Sequence, residues 1–163
     1  MFPDDIEALA KQVINAAAAR GLTVTTAESC TGGLVAAALT AVAGSSAVVD
    51  RGFVTYSNAA KTGMLGVDPT LIETHGAVSE AVARAMADGA LGRSDARVSV
   101  SVTGIAGPGG GSDDKPVGLV HFGASGPSGL IHVERRFGDP GREAVRLESV
   151  RTALRLLLDR IGG

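Results

Sequence analysis

Residues 22–43, LTVTTAESCTGGLVAAALTAVA, read as a strand, a sharp turn and a helix in immediate succession. Leu22 to Ala27 is rich in β-branched residues, which suit a pleated surface. The run breaks at Glu28-Ser29-Cys30-Thr31-Gly32-Gly33 and continues as an alanine-rich helix through Ala43. A strand feeding a helix through a glycine-bearing turn opens a βα unit, so the sheet it joins is expected to carry helices on its faces.

Working outward, Ile6, Leu9, Ala10, Val13, Ile14 and Ala17 follow helical spacing, with Pro3 suited to the first turn and Gly21 to the stop. Downstream, Val48 to Tyr56 predicts a second strand, Asn58 to Leu65 a short helix, Asp68-Pro69 the start of another, and Ser79 the cap of a longer one reaching Leu91. Arg97 to Val102 alternates as a strand and enters the glycine-rich run Thr103 to Gly111. Val117 to Ala124 and Leu130 to Phe137 are two further strands, and the tight link Gly126-Pro127-Ser128-Gly129 makes them an antiparallel pair. Asp139-Pro140 is expected to cap a final helix with Val145, Val150, Leu154 and Leu157 on its apolar side and Arg142, Arg146, Arg151 and Arg155 mainly on the other. This order predicts an α/β fold: one three-layer α/β/α domain over residues 1–163, with a mixed sheet.

Aromatic residues are only 3% of the chain, so its core must be built by close approach of small side chains. A net charge of −2 argues against general nucleic-acid binding, which needs a basic field. One cysteine, Cys30, allows no internal disulfide, and no stretch is long and apolar enough to span a bilayer. A cytoplasmic protein without nucleic-acid or membrane partners is expected, and its alanine-faced helices suggest a homo-oligomer. His75, His121 and His132 lack paired metal-ligand spacing, so neither metal nor cofactor is expected.

Three segments fall where a strand ends, the place where ligands bind in open α/β sheets. At Ser29, free backbone N–H groups and the positive end of a helix can stabilise an oxyanion, although Ser29 or Thr31 also suits a plain helix cap. Lys61 follows Tyr56-Ser57-Asn58. It is one of three lysines against twelve arginines, and lysine is the one of the two that loses its proton when desolvated. An ordinary lysine is neutral only roughly 0.04% of the time at pH 7, so a working base needs burial worth about 3–4 kcal/mol. A solvated helix lysine is the plainer reading of the same residue. The glycine-rich run from Thr103 can cradle a phosphate or second oxyanion through consecutive N–H groups, or serve merely as a connection.

Taken together, four blocks resemble the CinA C-terminal domain family. They are Thr26 to Gly33, Gly52 to Asn58 with Lys61, Gly76-Ala77-Val78-Ser79, and Thr103 to Gly110 with Lys115-Pro116-Val117-Gly118. The resemblance spans about Ile6 to Leu158. It implies a mixed, mostly parallel five-stranded sheet and nicotinamide-nucleotide amidohydrolase activity (NMN deamidase). Ser29 would be the nucleophile, Lys61 its base and Tyr56 a relay between them. Glu28, Cys30, Thr31, Gly32, Gly33, Thr103, Gly104, Gly107, Gly109 and Arg142 become candidate contacts to a small nucleotide substrate. Family members often carry a further N-terminal domain, and its absence here implies absence of the pyrophosphatase activity associated with it. A serine–lysine amidase or esterase on another acyl compound, and a non-catalytic nucleotide-binding module linked to competence or DNA damage, remain alternatives.

Overall fold

In the computed structural model, which describes residues 1–163, five strands form one sheet in the order β2-β1-β3-β4-β5. The strands are β1 (Val24–Glu28), β2 (Val49–Val54), β3 (Val98–Gly104), β4 (Leu119–Gly126) and β5 (Gly129–Arg136). β1 pairs in parallel with β2 and β3, while β4 runs antiparallel to both β3 and β5. Four strands therefore point the same way and β4 alone is reversed, because only a two-residue turn separates it from β5.

Helices α1 (Asp4–Arg20), α2 (Leu34–Thr40) and α6 (Arg142–Gly162) cover one face, and α3 (Asn58–Leu65), α4 (Pro69–His75) and α5 (Glu80–Gly92) the other. No helix is long and apolar enough to cross a membrane. The chain leaves β1 for β2 on one side and returns for β3 on the other. The carboxyl ends of β1 and β3 consequently flank a topological switch point, where a crevice opens.

Strand β3 shows how the layers are built. Val98, Val100 and Val102 point into a core with Ile6, Val13, Phe122, Leu154 and Leu157. Ser99 and Ser101, on the alternate face, are fully buried against α5 and donate hydrogen bonds to the carbonyls of Ala87 (2.9 Å) and Ala83 (2.6 Å). A β-carbon on Gly123 would collide with the Ala83 carbonyl oxygen. Helix α5 thus lies directly on the sheet, with hydroxyls and glycine in place of large side chains. This is the close approach that the low aromatic content demands.

Several boundaries differ from the sequence expectation. Helix α2 stops at Thr40, whose hydroxyl bonds back to Ala36 O; Gly44, at a φ of 85°, then leads into a 3-10 turn at Ser45–Ala47. The N-cap position of α6 belongs to Gly141 rather than Asp139-Pro140, and Pro3 precedes α1 instead of entering its first turn. His121 and His132, eleven residues apart, meet through the β4–β5 pairing with 2.8 Å between ring nitrogens. Burial, and for His121 also the neighbouring imidazole, pushes both rings below the ordinary histidine range. They are strand-to-strand contacts on the α5 face of the sheet.

Gly123→Ala is expected to destabilise the protein by about 1–3 kcal/mol through overpacking against α5. A urea-unfolding midpoint equal to wild type would contradict this account of the layer contact.

Candidate active site

Glu28 closes β1, and its fully buried carboxylate turns back to meet the start of α2. It accepts the N–H groups of Val35 (2.8 Å) and Ala36 (3.0 Å). The intervening turn requires Gly32 and Gly33 at φ of 57° and 101°, a region costly for other residues. The first donors of α2 are therefore consumed by Glu28, and neither Ser29 nor Thr31 caps the helix. One other donor stays available: the Cys30 N–H donates to no carbonyl and Cys30 lines the crevice, whereas Thr31, also without a carbonyl acceptor, is fully buried. Ser29 N–H donates to Val102 O (2.9 Å), which ties the turn to the end of β3.

Across the crevice, Ser57 caps α3 by accepting Ala60 N–H (3.0 Å). That start places Lys61 in the first turn of α3, facing β1. Lys61 is 1% exposed, and its amine meets three oxygens: Ser29 Oγ at 3.0 Å, Thr55 O at 2.9 Å and Tyr56 O at 3.4 Å. Desolvation drives the amine below the ordinary lysine value. No carboxylate accompanies it. Burial therefore weakens the preference for the charged form; once neutral, the amine has two hydrogens to suit the two carbonyls and a lone pair for the Ser29 hydroxyl.

Ser29 and Lys61 line a cavity of about 280 Å³ together with Cys30, Tyr56, Thr103, Gly104, Gly107, Gly109 and Arg142. Arg142, at the exposed end, donates to Gly107 O (2.8 Å) and to the Tyr56 hydroxyl (3.1 Å). Burial pushes the Cys30 thiol up to about 12, so it stays protonated and a poor nucleophile near neutrality. Ser29 is the hydroxyl with an amine beside it.

The three chain segments singled out in the sequence are thus gathered around one crevice. Four anticipated contacts lie outside its lining: Glu28 holds α2, Thr31 is fully buried, and Gly32 and Gly33 shape the turn. Tyr56 differs from its expected role. Its backbone carbonyl reaches Lys61, while its ring, 60% exposed, turns outward to Arg142. Sequence reasoning missed Arg146, which donates to the carbonyls of Cys30 and Thr31 (both 3.1 Å), and Asn58, Val78 and Ile105 in the cavity wall. The four-residue spacing of Arg142 and Arg146 was the available signal, since it places both on one helical face.

Comparison with known proteins gives concordant matches. The CinA C-terminal domain pattern matches residues 6–161. A protein of Enterobacter agglomerans named nicotinamide-nucleotide amidohydrolase PncC is 56% identical over 141 residues, covering 84% of this chain and 86% of that one. A CinA-like protein of Synechococcus is 52% identical over 157 residues; this chain spans only 38% of its length. Among solved structures, the competence/damage inducible protein CihA of Agrobacterium tumefaciens superposes with a TM-score of 0.97 at 57% identity, covering 100% of this chain and 99% of that one. A CinA superfamily protein of Escherichia coli gives a TM-score of 0.90 at 40% identity, over 97% and 92% of the two chains.

Glu28→Ala leaves two helix N–H groups unpaired and is expected to cost about 2–4 kcal/mol, seen as a lower urea midpoint. A loss under about 0.5 kcal/mol would show that water replaces the carboxylate freely.

Proposed function

This chain belongs to the CinA C-terminal domain family, and we propose that it hydrolyses the carboxamide of nicotinamide mononucleotide, giving nicotinate mononucleotide and ammonia in pyridine nucleotide recycling. The observation that carries this reading is the desolvated Lys61 amine 3.0 Å from Ser29 Oγ at the wall of the crevice. The 56% identity to a protein named as such an amidohydrolase supports the choice of substrate.

The reaction is a two-step acyl transfer. Neutral Lys61 takes the Ser29 proton as Oγ bonds to the carboxamide carbon. The N–H group of Cys30, at the cavity wall, receives the negative charge that develops on the carboxamide oxygen. Lys61 then returns its proton to the amide nitrogen, the carbon–nitrogen bond breaks, and ammonia leaves. Water enters the second step. Lys61 takes a proton from it, the resulting oxygen attacks the acyl carbon, and Ser29 departs as its hydroxyl is reprotonated. The positive pyridinium ring of the substrate withdraws electrons from the carbonyl, which assists a serine that has no histidine beside it. The cationic Arg142 and the Gly107–Gly110 segment at the mouth suit the ribose phosphate.

Ammonia release from the mononucleotide is expected to fall about 10³-fold or more in both Ser29→Ala and Lys61→Ala proteins. Because the neutral amine is the working form, kcat/KM should rise with pH through an acid limb whose midpoint lies below the ordinary lysine value of 10.5. Wild-type turnover in either folded variant would remove the serine–lysine mechanism. A wild-type protein that hydrolyses simple nicotinate esters but not the mononucleotide would move the substrate elsewhere.

A further inference from the structure

Arg146 is a half-buried cation in the second turn of α6 that makes no ion pair. Its neighbours Val145, Ser149 and Val150 are fully buried, which fixes this part of the helix against the sheet. The guanidinium is directed at two main-chain oxygens: Nε donates to Cys30 O and the terminal nitrogen to Thr31 O, each at 3.1 Å. Thr31 O has a second donor in Leu34 N–H (3.1 Å), whereas Cys30 O has no other. The same charge opposes the burial effect at the Cys30 thiol, so its field reaches the nucleophile turn.

Within a planar trans peptide the C=O and N–H bonds point in opposite directions. Holding Cys30 O toward α6 therefore fixes the Cys30–Thr31 peptide, with the buried Thr31 N–H turned away from α6. Holding Thr31 O likewise orients Gly32 N–H, which donates to Ser29 O (3.0 Å) and so fixes the Ser29–Cys30 peptide, whose N–H belongs to the cavity-lining Cys30. A charge-assisted bond to each carbonyl also polarises its peptide unit and strengthens the donor on the far side. With the guanidinium gone, Cys30 O is left without a donor, and the Cys30–Thr31 peptide is free to flip. A flip there also releases the Gly32 N–H bond to Ser29 O, and the Ser29–Cys30 peptide loses the contact that orients its N–H.

We infer that Arg146 is a positioning residue for the acyl-transfer reaction: it locks the turn after Ser29 so that the Cys30 N–H, at the cavity wall, faces the developing oxyanion. The inference rests on the serine-acylation reading above, but not on the identity of the acyl group. It assigns Arg146 a role distinct from that of Arg142. Arg142 stands at the substrate mouth and bears on KM, while Arg146 touches no substrate and acts on kcat.

The test uses Arg146→Ala and Arg146→Lys proteins, with two readouts on material that keeps the wild-type circular dichroism spectrum. One is steady-state ammonia release from the mononucleotide, with and without added ethylguanidinium. The other is the rate at which a fluorophosphonate labels Ser29, followed by intact mass, which needs no knowledge of the natural substrate. Arg146→Ala is expected to lose about 10²-fold in kcat with KM within about threefold of wild type, and to label correspondingly slowly. Ethylguanidinium should restore part of kcat, and Arg146→Lys, able to bond one carbonyl, should fall between. Should the alanine protein not fold, the lysine protein decides, by the same drop in kcat at constant KM. Wild-type kcat or labelling rate in a folded variant, a loss confined to KM, or a loss that ethylguanidinium leaves untouched would overturn the inference. Slowed Ser29 labelling in the variant, alongside a wild type that ignores the mononucleotide, would retain Arg146 and dismiss only the proposed substrate.

Discussion

The structure turns on a lysine amine held away from water against a serine hydroxyl. An ammonium group loses several kcal/mol of hydration when buried, and no carboxylate lies beside Lys61 to compensate. Proton loss would relieve most of that penalty. In the neutral form the carbonyls of Thr55 and Tyr56, just past β2, can accept the two hydrogens while the Ser29 hydroxyl, 3.0 Å away, meets the lone pair. In the proposed mechanism, burial does the work that a neighbouring acid or base does in other hydrolases.

Such a pair is useful only if neither member moves, and much of the surrounding structure serves that end. The Ser29 turn is held from three directions: Glu28 binds the start of α2, Val102 O accepts Ser29 N–H, and Arg146 grips two carbonyls from α6. Lys61 is set by the Ser57 cap on α3. Two buried hydroxyls without partners, Thr31 and Thr55, lie in these same two segments, so some polar satisfaction is given up where the geometry is most constrained. Small residues between β3, β4 and α5 hold the layers close enough for both halves to meet.

Local pattern carried most of the fold. All five strands fall within two residues of the positions that β-branched runs and turn residues indicate, and α3 spans the predicted Asn58–Leu65 because Ser57 and Gly66 mark its ends chemically. Boundaries failed where a long-range or positive-φ feature intervened, as at Gly44 and Gly141. Functional geometry was less legible. That Ser29 and Lys61 belong together came from resemblance, since spacing alone left both with plainer readings. Glu28 reads as a cavity residue until its carboxylate is seen folding back on α2. The Arg146 contact joins positions 115 and 116 residues apart, and the His121–His132 contact depends on the β4–β5 register; neither leaves a periodic trace in the chain.

With only three lysines, the protein permits a direct reading of the central claim. Titration of the lysine side chains by heteronuclear NMR, with Lys61 assigned through Lys61→Arg, should show the Lys61 amine losing its proton below 10.5. A Lys61 amine that keeps its proton up to 10.5 or beyond would contradict the account, because a normally hydrated ammonium cannot take the serine proton near neutral pH.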